Sequence, residues 1–318
     1  MWKYLVITIA LFISELVYFR IAVRFGIIDE PNERNSHTTI TLKGGGIIFY
    51  LAVQFYFLFY GWVYLWFLFG LTLITIISFI DDINSCSLVL RLLVHFISLL
   101  LMFQQWGLFG FSWYFMLIVL VFCVGMINAY NFMDGINGMA GGYSLVIIGA
   151  LWYINTYQVA FMDNNLLYVL MLSLLVFNWF NFREKARCFS GDVGSVSIAF
   201  MLVFLLGLLI IKTGDFSYIL LLALYGVDTI LTIIHRLLLH ENIFKPHRKH
   251  LYQLMANELH IPHVIVSSVY MLLQSLITAG LIGTHYHYAY ACLMVVLLSV
   301  VYVVFMKKFF KLHQCTDQ

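Results

Sequence analysis

Eleven apolar runs follow one another along the chain, at roughly 4–23, 46–61, 62–80, 88–105, 112–130, 139–157, 165–182, 194–211, 216–236, 263–283 and 288–306. A helix needs about 20 apolar residues to cross a bilayer, and a backbone in lipid must satisfy its own hydrogen bonds. A polytopic all-α membrane protein is the fold class this pattern allows. Composition agrees: 63% of the 318 residues are hydrophobic and 10% are charged, against about 25% charged in soluble domains. The net charge of +2 and the absence of a basic stripe give no sign of a nucleic-acid partner. Five cysteines show neither a close pair nor metal-ligand spacing. Lys3 precedes an apolar run with no small-residue cleavage site, so we expect a retained first helix. No repeat divides the chain, which reads as one membrane domain over 1–318.

Eleven spans put the termini on opposite sides, and lysine and arginine choose between the two orientations. With the N-terminus outside and the C-terminus cytoplasmic, fifteen of the seventeen basic residues fall on cytoplasmic loops or span ends, leaving Lys3 and Lys212. Every polar cluster then lands on that same cytoplasmic face, where the active site is expected. His285 and His287, on the other face among tyrosines, read as interface residues.

The densest cluster is N-A-Y-N-F-M-D-G-I-N-G-M-A-G-G, Asn128 to Gly142, between two apolar runs. Polar groups at membrane depth are costly and mark sites. Asn128, Asn131 and Asp134 recur at i, i+3, i+6, which places them along one helical face. The first cytoplasmic loop carries Arg34, His37 and Lys43, donors suited to phosphate, before Gly44–Gly46. Asp81-Asp82 closes the third span, and two adjacent carboxylates repel unless a cation intervenes. In G-D-V-G-S, Asp192 offers a carboxylate beside exposed helix N–H groups, which suits a metal carrying phosphate oxygens; it would equally serve as an N-cap. His247 and His250 in K-P-H-R-K-H-L-Y-Q invite zinc. The flanking Lys245, Arg248 and Lys249 instead favour a diphosphate. Together these are the parts of phosphoryl transfer: carboxylates for a hard cation, basic groups for a polyphosphate and a lipid-facing surface.

The ordered motifs D-E-P-N-E-R-N-S-H…K-G-G-G, D-D, N-A-Y-N-F-M-D-G-I-N-G-M-A-G, G-D-V-G-S and H-R-K-H-L-Y-Q resemble those of the polyprenyl-phosphate N-acetylhexosamine-1-phosphate transferases, bacterial glycosyltransferase family 4. The resemblance implies transfer of a sugar-1-phosphate from a UDP-N-acetylhexosamine to undecaprenyl phosphate at the bacterial inner membrane, with Mg²⁺ as cofactor and Mn²⁺ as its substitute. By motif position, Asp192 and Asp134 would hold the metal, and Asp81, Asp82 and Asp134 would be the catalytic carboxylates. Lys43, Asn128, Asn131, His247, Arg248 and His250 would bind the donor nucleotide and diphosphate. Asp81 and Arg34 would meet the acceptor phosphate. The last motif lacks the consecutive histidines of the phospho-N-acetylmuramoyl-pentapeptide transferases, which points to the O-antigen branch. Asn137 stands where many relatives have a second Asp, which puts a metal or base role there in doubt. Two readings remain beside this one: the pentapeptide transferase activity, and a secondary transporter, against which the one-sided clustering and the lack of repeats argue. Oligomeric state is open, a homodimer included.

Overall fold

The computed structural model describes residues 2–30, 40–243 and 247–314, the last five of these by backbone alone. Arg34, His37 and Lys245, singled out above, lie outside the described residues. The chain is helical nearly throughout. In order the elements are α1 (Trp2–Phe25), β1 (Ile28–Asp29), β2 (Thr41–Leu42), α2 (Ile47–Tyr60), α3 (Leu65–Ile83), α4 (Leu88–Trp106), α5 (Trp113–Met133), α6 (Met139–Tyr157), α7 (Asn164–Asn181), α8 (Gly191–Thr213), α9 (Ala223–Leu238), α10 (Leu251–Gln253), α11 (His263–Gly283) and α12 (His287–Gln314). A 3-10 turn, Phe216–Leu222, leads directly into α9.

Each expected apolar run falls on a helical segment, but among the described residues nine helices are long and apolar enough to cross a membrane. Runs 46–61 and 139–157 are the two outside that set. Helix α2 has only 14 residues, and α6 is diluted by Gly141, Gly142, Asn155 and Thr156.

Helix α8 is the centre of the bundle. Apolar residues cover it on all sides, as befits a helix surrounded by others, and Val193–Leu206 are buried without interruption. Helices α2, α3, α4, α5 and α6 pack around it. On the α3 side, Phe67 stacks on Phe204 at 4.0 Å between ring centroids, and Thr75 and Ser197 share a buried hydrogen bond of 2.8 Å. Gly70 and Gly207 leave the room that the Ser98 carbonyl and the Trp106 ring occupy. Helix α12 is the opposite case, exposing Val296, Val300, Val303 and Val304 to what must be lipid. Burying α8 so deeply fixes the position of its first turn, where G-D-V-G-S begins.

Candidate active site

The first turn of α8 needs acceptors for its leading N–H groups. They come from another helix. Asp82, at the end of α3, accepts from Asp192 N and Val193 N, both at 2.9 Å. Lys43 Nζ lies 2.9 Å from Asp82 Oδ1, and the Asp82 side chain is fully buried. Burial disfavours the charged form of Lys43, but Asp82, Asp192 and Asp29 outweigh it and raise its pKa. Asp82 is thus a cap supplied in trans, and its charge is already matched.

Lys43 reaches Asp82 because the glycines after it lie flat on α8. Gly45 N donates to Phe189 O at 2.9 Å and Gly46 N to Ser190 O at 3.1 Å. A Cβ on Gly46 would stand 2.3 Å from the Gly194 Cα, so the two backbones touch. The paired strands β1 and β2, with Ile28 opposite Leu42, lead the chain into this contact, and Leu42 bridges to Cys188. Behind the loop, Glu15 on α1 is buried and receives the Cys188 thiol at 3.6 Å.

The segment between α5 and α6 supplies the facing wall. Asn131 Nδ2 donates to Asp192 Oδ1 at 2.9 Å and to Ser195 Oγ at 3.0 Å. Ser190 Oγ donates to Asp134 Oδ2. Burial raises the Asp134 carboxyl to about 8, with repulsion from Asp192 and Asp82 adding to it. Gly138 has φ +80°, and the Phe182 ring fills the space where a Cβ would sit, so only glycine fits. Asn137 is buried and donates to the carbonyls of Arg183 at 2.8 Å and Glu184 at 3.0 Å. An ionised Asp there has no proton to give, which accounts for the amide at this position.

Asp29, Lys43, Asn131, Asp134, Asp192, Ser195, Tyr252 and Gln253 line a cavity of about 230 Å³. Four of the site residues expected from sequence therefore share it: Lys43, Asn131, Asp134 and Asp192. Asp29, Ser195, Tyr252 and Gln253 were not foreseen. Asp81 points the other way, accepting from Cys86 N at 2.7 Å and pairing with Arg91 at 2.9 Å. Asn128 is exposed; its amide donates to Val124 O at 2.9 Å and the side chain faces a cleft beside α4.

The segment 247–253 packs on the Asn131–Gly135 wall from above. Tyr252 OH donates to Phe132 O at 2.8 Å. Asp228 on α9 anchors it, with Oδ1 3.2 Å from His250 Nδ1 and accepting from Leu251 N at 3.1 Å, while Oδ2 accepts from Tyr270 OH at 2.9 Å. Arg236 is buried and holds the turn before it, through Glu241 and the carbonyls of Asn242 and Ile243. Lys249 pairs with the same Glu241. Arg236 and, from the basic cluster, Lys249 are thereby tied to the scaffold. The His247 ring lies 4.9 Å from that of His250. Burial and the nearby His250 and Arg236 push its pKa down to about 3, so it is neutral at pH 7. Replacing Asp228 with Ala leaves several buried donors without an acceptor and is expected to cost about 3 kcal/mol. A lowered Tm of the detergent-solubilised variant would show it; an unchanged Tm would mean another group anchors the segment.

Among the described residues no three His, Cys, Asp or Glu side chains form a preformed metal cage. A hard cation such as Mg²⁺ needs only one or two protein carboxylates when phosphate oxygens and water complete its shell. Asp134 and Asp192, facing one cavity with Ser195 beside them, fit that requirement.

The fold and cavity define a polytopic α-helical membrane protein with an acidic, lysine-bearing site at the common end of its helices. The model of glycosyl transferase family 4 matches residues 64–211. That match runs from α3 to α8 and takes in Asp81, Asp82, Asn131, Asp134 and Asp192. Over 266 residues the chain is 28% identical to the probable undecaprenyl-phosphate N-acetylglucosaminyl 1-phosphate transferase of Bacillus subtilis, covering 74% of this chain and 72% of that one. It is 26% identical over 291 residues to the undecaprenyl-phosphate alpha-N-acetylglucosaminyl 1-phosphate transferase of Escherichia coli K12, covering 78% and 75%. The phospho-N-acetylmuramoyl-pentapeptide-transferase of Latilactobacillus sakei is 32% identical over 146 residues, but that covers only 44% of this chain and 43% of the relative.

Proposed function

We propose that the protein transfers an N-acetylhexosamine-1-phosphate, or a related amino-sugar-1-phosphate, from a UDP-sugar to undecaprenyl phosphate. The products are undecaprenyl-diphosphate-sugar and UMP, and the reaction opens the synthesis of an O-antigen or related envelope polysaccharide. Convergence of Asp134, Asp192, Asn131 and Lys43 on one cavity at the helix ends carries this reading. The names of the relatives covering about three quarters of the chain support its substrate class. Eleven spans, an outside N-terminus and a cytoplasmic site in a bacterial inner membrane are part of the proposal, supported by the distribution of lysine and arginine.

In the reaction a phosphate oxygen of the lipid attacks the sugar-bearing phosphorus of the donor. That oxygen–phosphorus bond forms as the bond to UMP breaks, so the sugar keeps its phosphate. Little covalent work falls to the protein, and catalysis is positioning and charge neutralisation. Asp134 and Asp192 would hold Mg²⁺, which supplies positive charge to the diphosphate. Lys43 adds a fixed cation from the opposite wall. Asp82 keeps Lys43 and the α8 terminus in register. Asn131 orients the Asp192 carboxylate. His247, whose ring lies near that of the cavity-lining Phe132, and Arg248 would contact the donor. Purified protein given undecaprenyl phosphate and a panel of UDP-sugars is expected to release UMP with at least one of them. A transporter would release none, and no UMP from any pair would overturn the reading. Arg248→Ala is expected to raise KM for the UDP-sugar about tenfold, the scale of one lost charge-assisted hydrogen bond. Equal effects on the donor and the lipid would remove Arg248 from the donor side.

A further inference from the structure

Glu15 is an acid within a membrane helix, and no step of the proposed reaction uses it. It is 1% exposed on α1. Among the described residues its one hydrogen bond runs from the Cys188 thiol to Oε1, and Oε2 is buried with no partner. The titratable groups facing it are Cys188 and, one turn along α1, Tyr18. Among the described residues no cation pairs with it. An ionised carboxylate in that setting would be far costlier than the neutral acid. Even the neutral acid leaves a polar atom unsatisfied, where a leucine would not. A costly polar group at membrane depth marks a functional demand.

What Oε1 touches identifies that demand. A Cβ on Gly45 would stand 2.9 Å from Glu15 Oε1 and 2.7 Å from Cys188 Sγ, so acid and thiol close on that glycine together. Two segments cross here. Gly45 N and Gly46 N donate to Phe189 O and Ser190 O, and Phe189 N donates to Leu42 O at 2.8 Å. The first segment carries Lys43, and the second leads to Asp192. Cys188 O accepts from Asn181 Nδ2 at 2.8 Å, and Asn181 lines the cavity. Tyr18 adds a second support, donating to Lys43 O at 2.6 Å. Among the described residues α1 gives none to the cavity lining, so its influence on the site runs through this crossing.

We propose that Glu15 is a positioning residue for Lys43, a neutral carboxylic acid that holds the 42–46 and 188–190 segments in register. Lys43 then keeps its place in the cavity with Asp134 and Asp192, where the donor diphosphate would lie. The inference rests on the proposed transfer for the role of Lys43, and on the contacts of Oε1 for the role of Glu15. It separates two properties of one side chain: its shape and its Oε1 acceptor are needed, and its charge is not.

The test compares Glu15→Gln with Glu15→Leu, each in the full chain in nanodiscs. The amide keeps an oxygen for the Cys188 thiol, whereas leucine keeps the volume and offers none. Glu15→Gln is expected to stay within about twofold of the wild-type kcat, with an overlapping pH–rate profile. Glu15→Leu is expected to lose about tenfold in kcat, the scale of a group displaced by a fraction of an ångström. Its Tm should stay level or rise, and its KM for the lipid should stay within about twofold. Hydrogen exchange at the Gly45 and Gly46 amides should quicken in Glu15→Leu and not in Glu15→Gln. Equal loss of turnover in both variants would show that charge is required and overturn the proposal. Wild-type turnover and exchange in Glu15→Leu would overturn it too, as would a Tm falling in step with activity, the mark of a merely structural part. Were the wild type to release no UMP with any donor, the transferase reading would fail. The exchange comparison would then still decide whether Glu15 holds the segment.

Discussion

Asp192→Asn is expected to reduce turnover at least a hundredfold, on the order of the loss when one group that neutralises transition-state charge is removed. The substitution isolates charge from shape. Asp82 caps α8 through the backbone N–H groups of Asp192 and Val193, which no side-chain change removes. Asn131 donates to Asp192 Oδ1, and an amide oxygen in the same place accepts as well. Tm should therefore stay near that of the wild type, and the protein should still insert. What disappears is one of the three carboxylates, Asp29, Asp134 and Asp192, that line the cavity. Steady-state UMP release over a Mg²⁺ titration, run beside a Tm measurement, checks this. Wild-type turnover in the variant would remove Asp192 from the chemistry.

Gly194→Ala is expected to do nearly as much damage by another route. Its Cβ would stand 2.6 Å from the Gly46 Cα and 2.7 Å from the Ser190 Cβ. The first of these is backbone, which has no rotamer to yield. Relief requires the 43–46 loop to lift from α8, which withdraws Lys43 from Asp82. Overpacking of this kind costs roughly 1–3 kcal/mol, and the loss of Lys43 should lower turnover beyond what the fall in Tm explains. Gly149→Ala is the control. Nothing lies within 4 Å of that Cβ, and a helix interior favours Ala over Gly by about 0.5–1 kcal/mol. Equal behaviour of the two variants would show that the glycine-on-glycine contact does not hold the site.

The helices were legible because the bilayer allows little else, and the site's position because costly polar groups cluster at span ends. Less visible was which way each side chain turns. Asn128, Asn131 and Asp134 share an i, i+3, i+6 spacing, yet each step of three falls about 60° short of a full turn at 100° per residue. That drift carries Asn128 to the α4 side while Asn131 faces Asp192. Asp134 caps α5 in a non-helical conformation, so periodicity stops applying there. The trans cap by Asp82 depends on where α3 meets α8, and no local pattern encodes it. In the same way Lys249 reads as phosphate-binding charge, but Glu241, a residue without any motif, holds it together with Arg236. Tyr252 reaches the cavity wall only because Asp228, far off in sequence, fixes the segment that carries it.

The central claim is that phosphorus, not the anomeric carbon, is attacked. A UDP-N-acetylhexosamine labelled at its β-phosphorus, the one bearing the sugar, decides it when incubated with the protein, Mg²⁺ and undecaprenyl phosphate. The account predicts that the label leaves the nucleotide and enters the lipid fraction in a one-to-one ratio with sugar, with unlabelled UMP released. Label remaining in UDP, with sugar on a lipid monophosphate, would contradict it.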